Sequence, residues 1–165
     1  IIRKNRTSVA VLSGNESKED VLNLGKDIFT YYGLGCRNVS KVYVPKGYSF
    51  QFFLDSLQQF EAVGDHHKYR NNYDYNKSIY LVNREPHLDN GFLLVKESKE
   101  LVSPISVLFY EQYEGLEELK SVLTENESKI QCIIGEGYIP YGKAQEPEVC
   151  DYADGVDTLA FLSQL

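Results

Sequence analysis

The sequence lacks the cysteine pattern of a disulfide-stabilised or zinc-binding protein. It contains three cysteines, Cys36, Cys132 and Cys150, which is an odd number with no Cys-x-x-Cys spacing. Such usage is typical of a reducing compartment. We therefore expect a cytoplasmic protein without a metal site.

Positive charge and long apolar runs are also scarce. The chain has 17 Lys and Arg against 24 Asp and Glu, a formal net charge of -7, which argues against nucleic acid as a main partner. No stretch approaches the roughly 18 consecutive apolar residues of a membrane helix. The 165 residues are 42% hydrophobic and 13% aromatic, which is enough for the core of about one domain.

The order of hydrophobic patterns predicts an α/β fold. Amphipathic helical patterns begin near Ser17, Ser49 and Gly115, and the Tyr-rich stretch 65–77 reads as a helix or a surface crossing. An apolar segment at 156–165 is expected to dock on the body. Short apolar runs typical of strands occur at 7–14, 40–45, 91–98, 105–113 and 130–135. This alternation favours a mostly parallel sheet flanked by helices.

Cys36 lies between a glycine-rich corner and a strand, in the run YYGLGCRNVSKVYVP. Glycines allow a sharp turn and close approach of a ligand, and backbone N–H groups at such a turn can bind an oxyanion. We expect Arg37 and Lys41 to favour the thiolate. Free cysteine is, however, also among the most buried residue types. Local chemistry thus leaves two interpretations of Cys36 open, a nucleophile and a packed core residue.

The remaining reactive side chains give weaker signals. Cys132 lies in an apolar strand pattern and is predicted to be core, and Cys150 is predicted to be a surface or packing cysteine. His66 and His67 are adjacent, so on a helix they point in different directions and make a poor metal pair. His87 lies in a turn pattern. The chain contains no Gly-x-Ser-x-Gly elbow of a serine hydrolase.

The segment GLGCRNVSKVYVPKGYSFQFFLDSL resembles the surroundings of the active-site cysteine in the aldehyde dehydrogenase superfamily. With YGKAQEPEVCDYADGVDTLAFL near the end, it is most similar to the LuxC-type acyl-CoA reductases of bacteria. This resemblance implies the superfamily's catalytic-domain fold and a homo-oligomer. It also implies that Cys36 is the nucleophile in the NADPH-dependent reduction of a fatty acyl-CoA to a fatty aldehyde.

A second stretch, KELVSPISVL, resembles the superfamily segment whose glutamate holds the nicotinamide ribose. The match maps Glu100 onto that cofactor-binding position. Ser103 replaces the glycine of the family pattern, whereas Pro104 is retained. The replacement leaves the geometry of this loop in question.

Two family features are missing from the sequence. The Glu-Leu-Gly-Gly motif of hydrolytic aldehyde dehydrogenases has no counterpart in IIRKNRTSVAVL, which contains no acid. Without that general base, thioester chemistry is favoured over acid production. No Gly-x-Gly-x-x-Gly fingerprint occurs. We therefore expect residues 1–165 to be a catalytic domain without the upstream cofactor-binding domain, which would bind most of the NADPH and without which the chain would not turn over.

Two other classes of function remain open. The chain is a non-catalytic protein-docking module if the cysteine corner is structural, and a buried Cys36 would favour this reading. It is a cysteine-dependent acyl transferase or hydrolase if a histidine lies against Cys36. The exposure of Cys36 and the positions of His66, His67 and His87 therefore distinguish the acyl-CoA reductase from these two alternatives.

Overall fold

A six-stranded sheet forms the centre of the computed structural model, which describes residues 6–149, 151–152 and 156–164. The strand order is β3-β4-β5-β2-β1-β6. All neighbouring strands run parallel except β3 and β4, which are antiparallel. The strands are Thr7–Val11 (β1), Val39–Pro45 (β2), Leu88–Asp89 (β3), Leu94–Glu97 (β4), Val107–Tyr113 (β5) and Ile130–Ile134 (β6).

Helices connect most of the strands. The α-helices are Lys18–Phe29 (α1), Phe50–Leu57 (α2), His67–Asn83 (α3), Leu116–Glu125 (α4) and Thr158–Leu162 (α5). Short 3₁₀ segments occupy Thr30–Gly33, Gln58–Asp65 and Glu127–Lys129. The predicted fold class, a mostly parallel sheet flanked by helices, is confirmed.

The two faces of the sheet pack against different helices. Ala10 and Val42 contribute to the core cluster that contains the buried side chains of α1 and α2. Val9 and Tyr43, each adjacent in sequence to one of them, pack in a second cluster with α4. Successive strand residues point to opposite faces, so both faces of β1 and β2 are covered. This explains why these strands read as nearly continuous apolar runs.

Helix α1 begins as its sequence predicts. The Ser17 hydroxyl accepts a hydrogen bond from the Asp20 N–H (3.2 Å), and the Asp20 carboxylate accepts one from the Ser17 N–H (3.0 Å). This reciprocal capping box satisfies two N–H groups at the start of the helix. The helix fixes the position of Asp27, near its other end, relative to the sheet.

Helix α3 resolves the ambiguous Tyr-rich stretch. His67–Asn83 form one helix that buries Tyr73 and Tyr80 in a cluster with Leu94 of β4 and Phe109 of β5. Tyr73 and Tyr80 are therefore mainly structural, with their rings packed on the sheet, whereas Tyr75 is exposed.

The expectation that the segment 156–165 docks on the body is wrong for its described part. Leu159, Phe161 and Leu162 of α5 are all exposed. The helix has only five residues, too few to present a broad apolar face. No helix in the described part of the chain combines the length and apolar character needed to cross a membrane.

Candidate active site

Cys36 lies in a solvent-exposed turn directly before β2. The turn spans residues 35–38 and is closed by a hydrogen bond from the Asn38 N–H to the Gly35 carbonyl (3.0 Å). From the neighbouring strand, the Ser8 hydroxyl donates to the Cys36 carbonyl (2.9 Å). The backbone of Cys36 is thus anchored to the sheet while its side chain stays accessible.

The chain enters this turn through strained backbone. Tyr31 and Tyr32 have φ angles of 54° and 59°, in the left-handed region, and Gly33 follows with φ of 74°. Left-handed geometry costs roughly 1–2 kcal/mol per non-glycine residue, and such strain clusters at functional sites. Stacking of the Tyr32 ring on His66, with ring centroids 4.0 Å apart, helps to hold this corner.

Asn38 connects the cysteine turn to the end of α1. Its buried amide nitrogen donates to the carbonyls of Asp27 (2.9 Å), Ile28 (3.3 Å) and Thr30 (2.8 Å). Its amide oxygen accepts from the Gly35 N–H (2.8 Å). One side chain therefore satisfies carbonyl groups left unpaired at a helix end and fixes the turn that carries Cys36.

The two predicted cationic partners of Cys36 lie in different surroundings. The Arg37 guanidinium is mostly buried, donates to the Ala144 carbonyl, and forms an ion pair with Asp151 (3.3 Å). Lys41 is fully buried, and its ammonium binds the Glu111 carboxylate and the Lys99 carbonyl. Both cations are therefore paired within the fold, Arg37 with Asp151 and Lys41 with Glu111. Their effect on Cys36 stays a prediction.

Glu100 is exposed on the loop between β4 and β5. Its two neighbours tie the loop to the start of β2: the Lys99 carbonyl accepts from the Lys41 ammonium (3.1 Å), and the Leu101 carbonyl accepts from the Ser40 hydroxyl (2.7 Å). Ser40 is only four residues beyond Cys36. The fold thus brings both predicted site residues to the same end of β2.

Ser103, which replaces a glycine of the family pattern, closes the same loop. Its hydroxyl donates to the Val107 carbonyl (2.6 Å), and Ser106 adopts a left-handed φ of 64°. The loop therefore takes a defined path with serine at this position.

The buried Cys132 differs sharply from the exposed Cys36. Cys132 is buried in β6, as predicted, and burial raises the pKa of its thiol, against a smaller lowering influence from the nearby Arg37. A raised pKa means less thiolate at neutral pH and lower reactivity. Cys150 lies outside the described residues.

The described hydrogen bonds of His66 and His87 go to partners other than Cys36. The His66 Nδ1 accepts from the Tyr69 N–H (3.4 Å) at the start of α3. His67 is an exposed first residue of α3, and the His87 Nδ1 contacts the Glu85 carbonyl (2.8 Å) beside the outer strand β3. Within the described ranges, the acidic, histidine and cysteine side chains form no group of three that could hold a metal ion.

Comparison with known proteins extends the description of the fold. No family model and no curated protein sequence matches the chain. Among solved structures, a protein from Burkholderia cenocepacia assigned as an aldehyde dehydrogenase matches with a TM-score of 0.52 and 12% identity, over 87% of this chain and 37% of that one. The Delta-pyrroline-5-carboxylate dehydrogenase from Mycobacterium tuberculosis bound with NAD matches with a TM-score of 0.48 and 14% identity, over 80% of this chain and 30% of that one.

The likeness to the Burkholderia cenocepacia structure shows a shared fold. The chain spans about a third of the length of the solved structures that it matches. It therefore shares the fold of the matched part of the Burkholderia cenocepacia structure.

Sequence reasoning missed three residues that build the site: Ser8, Asp27 and Asn38. Asp27 had a readable signal, because it follows Leu24 by three residues and therefore lies on the buried face of α1. Asn38 and Ser8 make their key contacts across distant segments, so no local pattern marks them.

Proposed function

We propose that this chain supplies the nucleophile of an NADPH-dependent acyl-CoA reductase that converts a fatty acyl-CoA into a fatty aldehyde. The observation that carries the proposal is the exposed Cys36 on a turn anchored to the sheet, in a domain with the aldehyde dehydrogenase fold. Catalytic cysteines need such access, whereas structural cysteines are usually buried.

The first chemical step uses the residues of the turn. The Cys36 sulfur attacks the thioester carbonyl carbon, a new carbon–sulfur bond forms, and the carbonyl oxygen becomes an oxyanion. The Cys36 backbone N–H is the candidate donor to that oxyanion. Collapse breaks the bond to CoA, which leaves as its thiolate, and the acyl group remains on Cys36.

One residue of the chain fits a role toward the nicotinamide cofactor. The exposed Glu100 carboxylate offers acceptors for ribose hydroxyls, on a loop fixed to the start of β2. When bound, NADPH supplies the hydride that takes the acyl group to the aldehyde level. The remaining cofactor contacts belong to a part of the enzyme outside this chain, and cytoplasmic location and homo-oligomeric assembly are proposed on the same resemblance.

The alternative functions receive less support from the site. A docking module predicts a buried Cys36, whereas the side chain is exposed. An acyl transferase or hydrolase needs a histidine base at the cysteine, whereas His66 caps α3 and His87 lies at β3.

Acylation of the cysteines tests the proposal. The purified chain is incubated with a fatty acyl-CoA, digested at low pH to preserve thioesters, and mapped by mass spectrometry. The acyl mass is expected on the peptide that contains Cys36 and is expected to be absent from Cys36→Ser. Cys132→Ser is the matched control and should keep the modification. Equal labelling of the cysteines, or labelling unchanged in Cys36→Ser, would overturn the proposal.

A further inference from the structure

We propose that the cleft between α4 and the outer edge of β6 binds a small carboxylate that has an apolar body and an N–H donor. N-acyl amino acids with apolar side chains belong to this chemical class. The site is additional to the proposed function, because neither Cys36 nor Glu100 is among its described lining residues. Three observations support it: the size of the cleft, its apolar walls, and two polar atoms without partners.

The cleft exists because β6 is the last strand of the sheet. One edge of β6 therefore faces outward, and Ile139 forms a bridge with Ile134 near the end of that edge. Helix α4 borders the same edge, so a cleft of about 770 Å³ remains between the helix and the strand. This volume lies within the range of roughly 300–1,000 Å³ that is typical of small-molecule sites.

Apolar side chains form the walls of the cleft. Leu123 of α4 and Ile130 of β6 line it, and both belong to a core cluster against which Ile133 packs. The walls are therefore preformed by the core. Ile133 and Ile139 also line the cleft and are only partly buried, so an apolar ligand that covers them removes their surface from water.

Arg6 provides a cation at this cleft. Its Nη2 donates to the Glu127 carbonyl (2.8 Å), whereas its Nε is buried and has no hydrogen-bond partner within the described residues. No carboxylate in the described part of the chain pairs with this guanidinium. Buried donors nearly always have a partner, and a carboxylate matches a guanidinium in both charge and geometry. A ligand carboxylate would satisfy this group.

Gln131 adds an acceptor to the same cleft. It lines the cleft from β6, and its side-chain Oε1 is buried without a partner among the described residues. A carbonyl oxygen of this kind needs an N–H or O–H donor. The amide N–H of an N-acyl amino acid supplies such a donor, while the carboxylate of the same molecule suits Arg6.

The other charges at the cleft are exposed. Lys120 is paired with Glu117 (2.9 Å), and both side chains lie largely in solvent. The Glu127 side chain is also exposed. Charges in such positions are screened by water and salt, so the partly buried Arg6 determines which sign of ligand charge is preferred.

Two matched probes test the site, N-acetyl-L-leucine and N-acetyl-L-leucinamide. They share the isobutyl group and the N–H donor, but only the first carries a carboxylate. Each is titrated to about 50 mM at constant ionic strength and followed by amide chemical shifts in NMR spectra. The acid should bind with a dissociation constant of about 1–10 mM, and the neutral amide about tenfold more weakly. The largest shifts should occur at Leu123, Gln131 and Ile133.

Variants assign the two contacts. Arg6→Gln should reduce the affinity for the acid to that for the amide and leave the amide unchanged, which also shows that the cleft is intact. Gln131→Leu should weaken both probes about threefold. Arg70→Gln is the control, because its guanidinium pairs with Asp74 on α3 (3.3 Å), and it should bind both probes as the wild type does.

Several results would overturn the proposal. These are the absence of binding by the acid, shifts confined to residues outside the cleft, equal affinity of the wild type for both probes, a preference for the acid that persists in Arg6→Gln, and undiminished binding in Gln131→Leu.

Discussion

The accessibility of Cys36 depends on side chains that are themselves buried. Asn38 binds three carbonyls at the end of α1 and one N–H of the turn, and Ser8 binds the Cys36 carbonyl. These contacts fix the backbone of the turn on its buried side. The Cys36 side chain can therefore be exposed while the turn keeps one conformation. Rigid support of this kind is what positions a nucleophile within a fraction of an ångström.

Replacing Asn38 by alanine should destabilise the fold. The change leaves buried carbonyls and the Gly35 N–H without their partner, which costs about 2–4 kcal/mol in the free energy of unfolding. Urea denaturation measures this difference. Asn72→Ala is the control, since the Asn72 amide donates to the Lys68 carbonyl on the exposed side of α3 (2.7 Å); an equal loss in both variants would contradict the role of Asn38.

Asp27 gives the stability a definite pH dependence. Burial raises its pKa to about 6 in the fold, above the value of roughly 3.9 in an unfolded chain. Between pH 4 and pH 6 the folded state therefore binds more protons than the unfolded state, so the free energy of unfolding falls as pH rises.

Asp27→Asn should remove this contribution. Relative to the variant, the wild type should lose about 2 kcal/mol of stability from pH 4 to pH 7, as measured by denaturation at each pH. Asp20 has a lowered pKa because Ser17 hydrogen-bonds its carboxylate, so Asp20→Asn should show a slope of the opposite sign. A difference between wild type and Asp27→Asn that does not change with pH would refute the assignment.

At the scale of elements, the glycine at position 25 shows how closely α1 and α2 approach. A Cβ added there would lie 2.8 Å from Leu57 Cδ2 and would also overlap the Phe60 ring. Alanine is the better helix former by about 1 kcal/mol, but overpacking costs typically 1–3 kcal/mol. Packing and propensity therefore oppose each other at this residue.

Gly25→Ala should destabilise the protein by about 1–2 kcal/mol, because the cost of overpacking exceeds the gain in propensity. Thermal or urea unfolding measures it. Gly64→Ala is the control, since its Cβ would meet only the Phe92 Cβ at 3.5 Å, an ordinary contact. A stabilised Gly25→Ala would show that the helices can separate without loss.

Sequence patterns predicted most elements but not their fine geometry. The buried strands and α1 follow from apolar periodicity and a capping box, both local signals. The left-handed Tyr31 and Tyr32 could not be predicted, because tyrosine has no preference for positive φ and only the surrounding contacts hold it there. The docking of α5 on the body is predicted wrongly, because an apolar composition does not by itself show that a surface exists for the helix to pack against.

For the candidate site, the sequence indicated Cys36 and Glu100 through resemblance, and it could not show what supports them. The contact chain from Asp27 through Ala144 to Arg37 joins segments more than a hundred residues apart. Contacts between such distant segments produce no repeating residue pattern, so a single sequence does not reveal them. The same holds for the contact of Lys41 with Glu111, which lies on the next strand of the sheet.

At the scale of the whole molecule, the sheet places the two candidate site residues at one end of β2, with helices covering both faces. The chain spans 37% of the Burkholderia cenocepacia structure whose fold it shares.

Release of CoA tests the central claim most directly. The chain is mixed with a fatty acyl-CoA in the absence of NADPH, and free CoA is quantified by liquid chromatography and mass spectrometry. We predict up to one CoA released per chain in the wild type and in Cys132→Ser, and none above the rate of spontaneous hydrolysis in Cys36→Ser. CoA release that is the same with and without Cys36 would contradict its assignment as the nucleophile.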